Sequence, residues 1–211
     1  MVLRLYGIDF FTCTRRVACI LKEYNVPYEL VTVDFASKEH KSPAFLEHQP
    51  FGQIPYIVDD DGFEIYESRA ISRYIANKYR AQGPPLLPES TDVQKLAKFE
   101  QAASIESANF HPSAEAITSE KHLGKTPDED AVARHLAVLK SKLAAYEVIL
   151  SKQKYLAGDE ITLADLFHLS YGQAITNVGI DVLESGEFPN VARWWKEISS
   201  RPSWQAVKEK A

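Results

Sequence analysis

An α/β unit followed by an all-α unit is the fold class the sequence predicts, and three observations carry it. Residues 2–33 read as strand, helix and strand, and residues 56–66 read as a hairpin. Beyond Pro88 the strand signal almost vanishes, while apolar residues recur at helical spacing.

Val2 to Tyr6 is a short apolar run broken only by Arg4, and the polar-aromatic segment from Gly7 to Thr12 reads as a turn before a helix. In that helix Val17, Ile20, Leu21 and Tyr24 fall at i, i+3, i+4 and i+7, which gathers them on one face. It stops near Asn25, because Pro27 disfavours the helical conformation in the residue before it. Tyr28 to Val33, rich in Tyr, Val and Thr, is the second strand. Asp34 to Phe51 is mostly polar with Pro43 and Pro50 as breakers, which predicts a loop with at most one short helix, free to meet a ligand.

Tyr56–Val58 and Phe63–Tyr66 flank the acidic turn Asp59-Asp60-Asp61-Gly62 and complete the sheet as an antiparallel pair. A helix then starts at about Ser68, with Ile71, Tyr74, Ile75 and Tyr79 at helical spacing, until Gly83, Pro84, Pro85 and Pro88 interrupt the pattern. That break separates a domain over residues 1–80 from a helical domain over 90–211. In the second, Val132, Leu136, Leu139, Leu143, Tyr146 and Leu150 recur at steps of four and three, as in a helical bundle. Thr162 with Asp165 three residues on has the form of a capping box.

Composition narrows the partners. A net charge of −5, with 25% charged residues, gives no basic surface for nucleic acid. No run approaches the roughly 20 apolar residues needed to cross a bilayer. The N-terminal apolar stretch is broken by Arg4 and Asp9, and two cysteines are too few for a disulfide framework, so cytoplasm is the expected compartment. The histidines show no metal-ligand spacing, His111, His122, His135 and His168 reading as surface or structural residues, and no metal is expected.

Two places suit chemistry. Ile54-Pro55 precedes a strand, where a cis proline would leave backbone groups facing outward to pair with a peptide. Glu67 and Ser68 lie where a strand meets a helix N-terminus, whose free N–H groups and dipole favour a carboxylate, although a plain serine N-cap has the same pattern.

These segments belong to a larger set: TRRV at Thr14–Val17, EHK at Glu39–Lys41, PFGQIP at Pro50–Pro55, ESRAISRYIA at Glu67–Ala76 and YLAGDEITLADL at Tyr155–Leu166. In order and spacing the set resembles the phi class of glutathione transferases, across both halves of the chain. The resemblance implies a thioredoxin-like domain that binds glutathione, a helical bundle that lines a site where a small hydrophobic electrophile is conjugated or reduced with glutathione, and a homodimer. It further implies that His40 and Lys41 meet the glycine carboxylate of glutathione, that the Ile54 backbone pairs with its cysteinyl unit, and that Gln53, Glu67 and Ser68 hold its γ-glutamyl end. Phe51 resembles the aromatic that inserts into the partner subunit.

One position departs from that pattern. Aligned on TRRV, the serine that donates to the glutathione sulfur in this class falls on Phe11, which has no proton to donate. Thr12 is next in line, with a hydroxyl near the first helical turn, and is the expected catalytic residue; a simple capping threonine is the alternative. Cys13 is the other contender for sulfur chemistry, but two residues is about 200° of helical rotation, which turns it toward the core. Phe10, Phe11 and Phe110 are candidates for the apolar wall of the second-substrate site. Loss of the serine leaves room for a ligand-binding protein of the same fold, and a similar fold also occurs as a non-catalytic assembly module.

Overall fold

In the computed structural model, which describes residues 2–122 and 126–211 apart from the side chain of His122, the first apolar run forms β1 (Leu3–Gly7). Helix α1 (Thr12–Glu23) comes next, and its predicted apolar positions Val17, Ile20 and Leu21 are all buried. It ends at Tyr24, and the chain turns through Asn25 at φ 52° before β2 (Tyr28–Thr32). The polar stretch holds more structure than expected: a 3-10 turn at Glu39–Lys41 and a separate helix α2 (Pro43–His48). Ser42 explains the second, since its hydroxyl caps Phe45 N–H and Pro43 at the first helical position gives up no hydrogen bond.

Strands β3 (Tyr56–Val58) and β4 (Glu64–Tyr66) lead to α3 (Ser68–Lys78). The sheet order is β2-β1-β3-β4, with β1 parallel to β2 and the other pairings antiparallel. One register row decides where a site can form. Tyr6 pairs with Tyr56, and Tyr56 with Tyr66, while Gly7 pairs with Thr32. The end of β1, the end of β2, the start of β3 and the end of β4 therefore share one edge of the sheet. Every loop that leaves that edge carries residues expected to bind.

The opposite end of the hairpin is tied down by charge. Asp59 has a fully buried side chain and accepts from Lys78 Nζ at 2.8 Å, Tyr74 Oη at 2.7 Å and Tyr79 Oη at 3.1 Å. Lys78 also reaches Asp60 and Asp61, so an ammonium already sits among the three carboxylates. Burial pushes the Asp59 carboxyl up, but the Lys78, Tyr74, Asp60 N–H and Tyr79 donors outweigh it and leave its pKa below the ordinary value. A depressed folded pKa stabilises the fold above the unfolded value of about 3.9, and that stabilisation is lost as pH falls through the folded one. Asp59→Asn is therefore expected to cost about 2 kcal/mol at pH 7, the scale of a hydrogen bond to a charged group. The gap from wild type should narrow below about pH 4. Urea unfolding of both proteins at pH 7 and pH 3 checks this, and an equal gap at both would refute it.

Among the described residues, everything after Pro88 that is regular is helical: α4 (Val93–Ile105), a π turn at Glu106–Phe110, α5 (His111–His122), α6 (Glu129–Leu150), α7 (Leu163–Leu166), α8 (Leu169–Asn177), α9 (Pro189–Ser199) and α10 (Pro202–Gln205). None is long and apolar enough to cross a membrane. The chain divides into one compact unit of residues 1–85 with 202–211, and a second of residues 86–201. The division falls after Pro85, and 202–211 belongs with the first unit rather than the helical one. Arg15 on α1 explains that placement: its Nη1 donates to Lys208 O and its guanidinium lies 6.0 Å from the Trp204 ring centroid. Ser203 Oγ donates to Glu23, also on α1.

The apolar core of the second unit encloses a polar cluster. Asp165, with Thr162 N–H and hydroxyl both donating to it, forms the carboxylate half of the expected capping box, and it also accepts from Leu156 N and Trp194 Nε1. Beside it His168 is fully buried, one ring nitrogen on Ala164 O at 2.9 Å and the other 3.0 Å from Tyr146 Oη.

Candidate functional site

The residue before α1 is Phe11, with extended backbone (φ −76°, ψ 137°) and no side-chain cap. Thr12 is therefore the first helical residue and not its cap. Its hydroxyl makes no hydrogen bond among the described residues, and Thr12 is only half-buried. The N–H groups of Thr12, Cys13 and Thr14 have no acceptor within the helix, as in any first turn, so this end presents donors and a positive dipole end. Cys13 does not turn into the core: it is half-exposed, and its Sγ lies 3.5 Å from Arg16 Nη1.

Phe11 packs edge-on against Phe10 and Phe35, with ring centroids 5.1 and 5.2 Å apart. Phe35 in turn stacks on His40 at 3.8 Å. Phe10 is 61% exposed, so this row of rings presents an apolar surface to solvent. Phe35 escaped the sequence reading; the available signal was an aromatic side chain in the polar run of residues 34–42. His40 has its Nδ1 buried without a hydrogen-bond partner among the described residues.

Lys41 behaves differently from a free loop lysine. Its Nζ donates to Phe51 O at 3.1 Å and Gly52 O at 2.9 Å, which leaves one of its three donors. This crossing requires glycine: Gly52 has φ +59°, and a Cβ there would lie 2.5 Å from His40 O and 2.8 Å from Lys41 Nζ. Gln49, also missed from sequence, is buried and shapes the same turn, its Oε1 accepting from Phe51 N and Gln53 N. Gln53 itself is exposed.

The Ile54–Pro55 bond is cis. Among the described residues neither the N–H nor the C=O of Ile54 has a hydrogen-bond partner, although β3 begins two residues later. Glu67 is exposed and sits at φ 69°, outside helical geometry, as the residue preceding α3. Ser68 is the first residue of that helix and not a cap; its Oγ accepts from Arg16 Nη1 at 2.9 Å.

Two of the expected residues fall elsewhere. Phe51 is 64% exposed, its ring edge-on to Tyr66 at 6.2 Å, so it is not folded onto the core of its own unit. Phe110 is fully buried within the helical unit, its ring 4.8 Å from that of His168. It presents no surface to a ligand and is no part of the apolar wall expected of it.

Residues 1–77 match the family model for the N-terminal domain of glutathione S-transferases, and residues 96–202 match that for the C-terminal domain. The chain is 44% identical to glutathione S-transferase PM239X14 of Arabidopsis thaliana over 92% of its own length and 90% of the relative's. Among solved structures, glutathione transferase F7 from Populus trichocarpa superposes with a TM-score of 0.92 at 39% identity, covering 99% of this chain and 98% of that one. Glutathione S-transferase I from maize, in complex with an atrazine glutathione conjugate, superposes at 0.90 with 35% identity, covering 99% and 97%.

Proposed function

The chain belongs to the glutathione S-transferase family, in its phi class, and on that premise we propose how it activates glutathione and joins it to small hydrophobic electrophiles. The observation that carries the assignment is unspent hydrogen-bonding capacity at one edge of the sheet. Among the described residues, the Ile54 backbone, the Ser68 hydroxyl proton and the first-turn N–H groups of α1 all leave from that edge without acceptors or donors of their own.

A tripeptide laid along this edge pairs its cysteinyl backbone with Ile54. Its γ-glutamyl end meets Ser68, Glu67 and Gln53, and its glycine carboxylate meets His40 and the remaining donor of Lys41. The thiol then lies at the start of α1, where Thr12 donates to the sulfur and the helix terminus favours the thiolate. The thiolate attacks an electrophilic carbon, the bond to the leaving group breaks, and the thiol proton passes to solvent. Phe10 and Phe11 form the apolar wall for the electrophile; the atrazine conjugate bound by the maize relative supports that class of second substrate.

The acting species is a homodimer with Phe51 as its anchor, and the compartment is the cytoplasm. An exposed phenylalanine on a turn braced by Gln49 and Lys41 is a rigid apolar knob, the kind of residue that dominates an interface. Phe51→Ala is expected to weaken the dimer by about 2 kcal/mol or more, roughly 30-fold in the dissociation constant. Sedimentation equilibrium checks this, and an unchanged monomer–dimer balance would refute it.

The direct test of function is conjugation of glutathione to a chloronitrobenzene acceptor, alongside calorimetric titration with glutathione. Turnover with saturation by both substrates is expected. Tight binding without turnover would instead favour a ligand-binding protein, in keeping with the missing hydroxyl at Phe11.

A further inference from the structure

The two arginines of TRRV go separate ways, as neighbours about 100° apart on a helix must. Arg15 holds the 202–211 segment. Arg16 is 1% exposed, and its Nη1 donates to Ser68 Oγ at 2.9 Å while lying 3.5 Å from Cys13 Sγ.

We propose that Arg16 is a positioning residue that sets the orientation of the γ-glutamyl end of glutathione by acting through Ser68. This rests on the assignment of Ser68 to that end of the ligand. A serine hydroxyl can accept or donate, whereas a guanidinium can only donate. Arg16 therefore fixes Ser68 Oγ as an acceptor toward the protein, and the one hydroxyl proton is left for the ligand. Among the described residues that proton goes to no other group.

The γ-glutamyl end carries both an α-carboxylate and an α-ammonium. An unconstrained serine would serve either; one held by Arg16 keeps a second lone pair, but the cation behind it disfavours a further ammonium and strengthens donation to the carboxylate. The exposed Glu67 carboxylate, one residue earlier, is left for the ammonium. Two adjacent residues thus read the two charges of one amino-acid head group, and the buried arginine decides which reads which.

The test uses Arg16→Met, Arg16→Lys, Ser68→Ala and the Arg16→Met/Ser68→Ala double variant in the full chain. Glutathione and its analogue 4-aminobutyryl-cysteinylglycine, which lacks the α-carboxylate, are the thiol substrates. Arg16→Met is expected to raise KM for glutathione about tenfold, the discrimination of one charge-assisted hydrogen bond. KM for the chloronitrobenzene should not change. Arg16→Lys, which keeps a donor, should lose less. The Arg16→Met effect should vanish in the Ser68→Ala background and with the analogue.

A loss that persists undiminished in the Ser68→Ala background or with the analogue would overturn the proposal, as would unchanged glutathione kinetics in both Arg16 variants. If Arg16→Met does not fold, as judged by circular dichroism, Arg16→Lys and the analogue decide the matter by the same coupling. Unchanged glutathione affinity in Ser68→Ala would remove the Ser68 assignment itself, and wild type that binds no glutathione would remove the proposed function; both differ from an uncoupled arginine.

Discussion

Thr12→Ala is expected to lose about 30-fold in kcat/KM for conjugation near pH 6.5, and to recover most of it above about pH 9. A free thiol has a pKa of about 8.5, and lowering it by two units takes about 2.7 kcal/mol of preference for the thiolate. On the proposed role of Thr12, one hydrogen bond to the charged sulfur supplies roughly 1.5–3 kcal/mol of that, and the terminus of α1 the rest. Removing the hydroxyl raises the bound thiol's pKa, so the pH–rate profile should move to higher pH while the high-pH plateau changes little. Thr12→Ser should match wild type, because it keeps the donor. Cys13→Ser is expected to do so as well, since its sulfur lies 3.5 Å from Arg16 Nη1. A Thr12→Ala profile that superimposes on wild type would exclude the threonine hydroxyl as the activating group.

The largest loss of stability is expected from Asp165→Ala. This fully buried carboxylate accepts from Leu156 N at 3.0 Å, Thr162 N at 2.9 Å, Thr162 Oγ1 at 3.1 Å and Trp194 Nε1 at 2.9 Å. Burial pushes the carboxyl's pKa up, and those four donors oppose the shift. Alanine leaves all four donors buried, at about 1–3 kcal/mol for each that finds no new acceptor. Relaxation of the loop over residues 154–159 offsets some of this, and the net cost is about 4–5 kcal/mol. For a chain of this size that corresponds to roughly 12 °C in Tm, read by scanning calorimetry. A fall of under about 3 °C would mean that the donors have been satisfied by other means.

Both predictions rest on features that differ in how far the sequence reveals them. The capping box is local: Thr162 and Asp165 lie one turn apart, and their pairing is a matter of chain geometry. Trp194, which completes the Asp165 site, is long-range and carries no such signal. The βαβ unit was readable because Pro27 and the apolar spacing of α1 act within a few residues. The facing of Cys13 was not. Counting helical rotation from Phe11 assumes that Phe11 is in the helix, yet its backbone is extended, so the count starts from the wrong residue.

Phe110 failed for a related reason. The π turn at Glu106–Phe110 inserts a residue into the helical repeat and rotates the residues after it, and no composition rule marks where that occurs. Ser68 was visible as a residue at a strand–helix junction, but its hydrogen-bond polarity depends on Arg16, 52 positions earlier in the chain. Phe35 and Gln49 likewise matter through partners that only the folded loop supplies.

The return of residues 202–211 to α1 makes the first unit discontinuous, with the whole helical unit inserted between its two pieces. As the chain emerges during synthesis, the sheet can form early, but the pocket on α1 that receives Trp204 stays open until more than a hundred further residues have been made. An early chain therefore exposes an apolar face of α1 for that interval, and the helical unit completes its own core first. Loss of the last ten residues would injure the unit at the far end of the sequence, leaving the neighbouring helices intact.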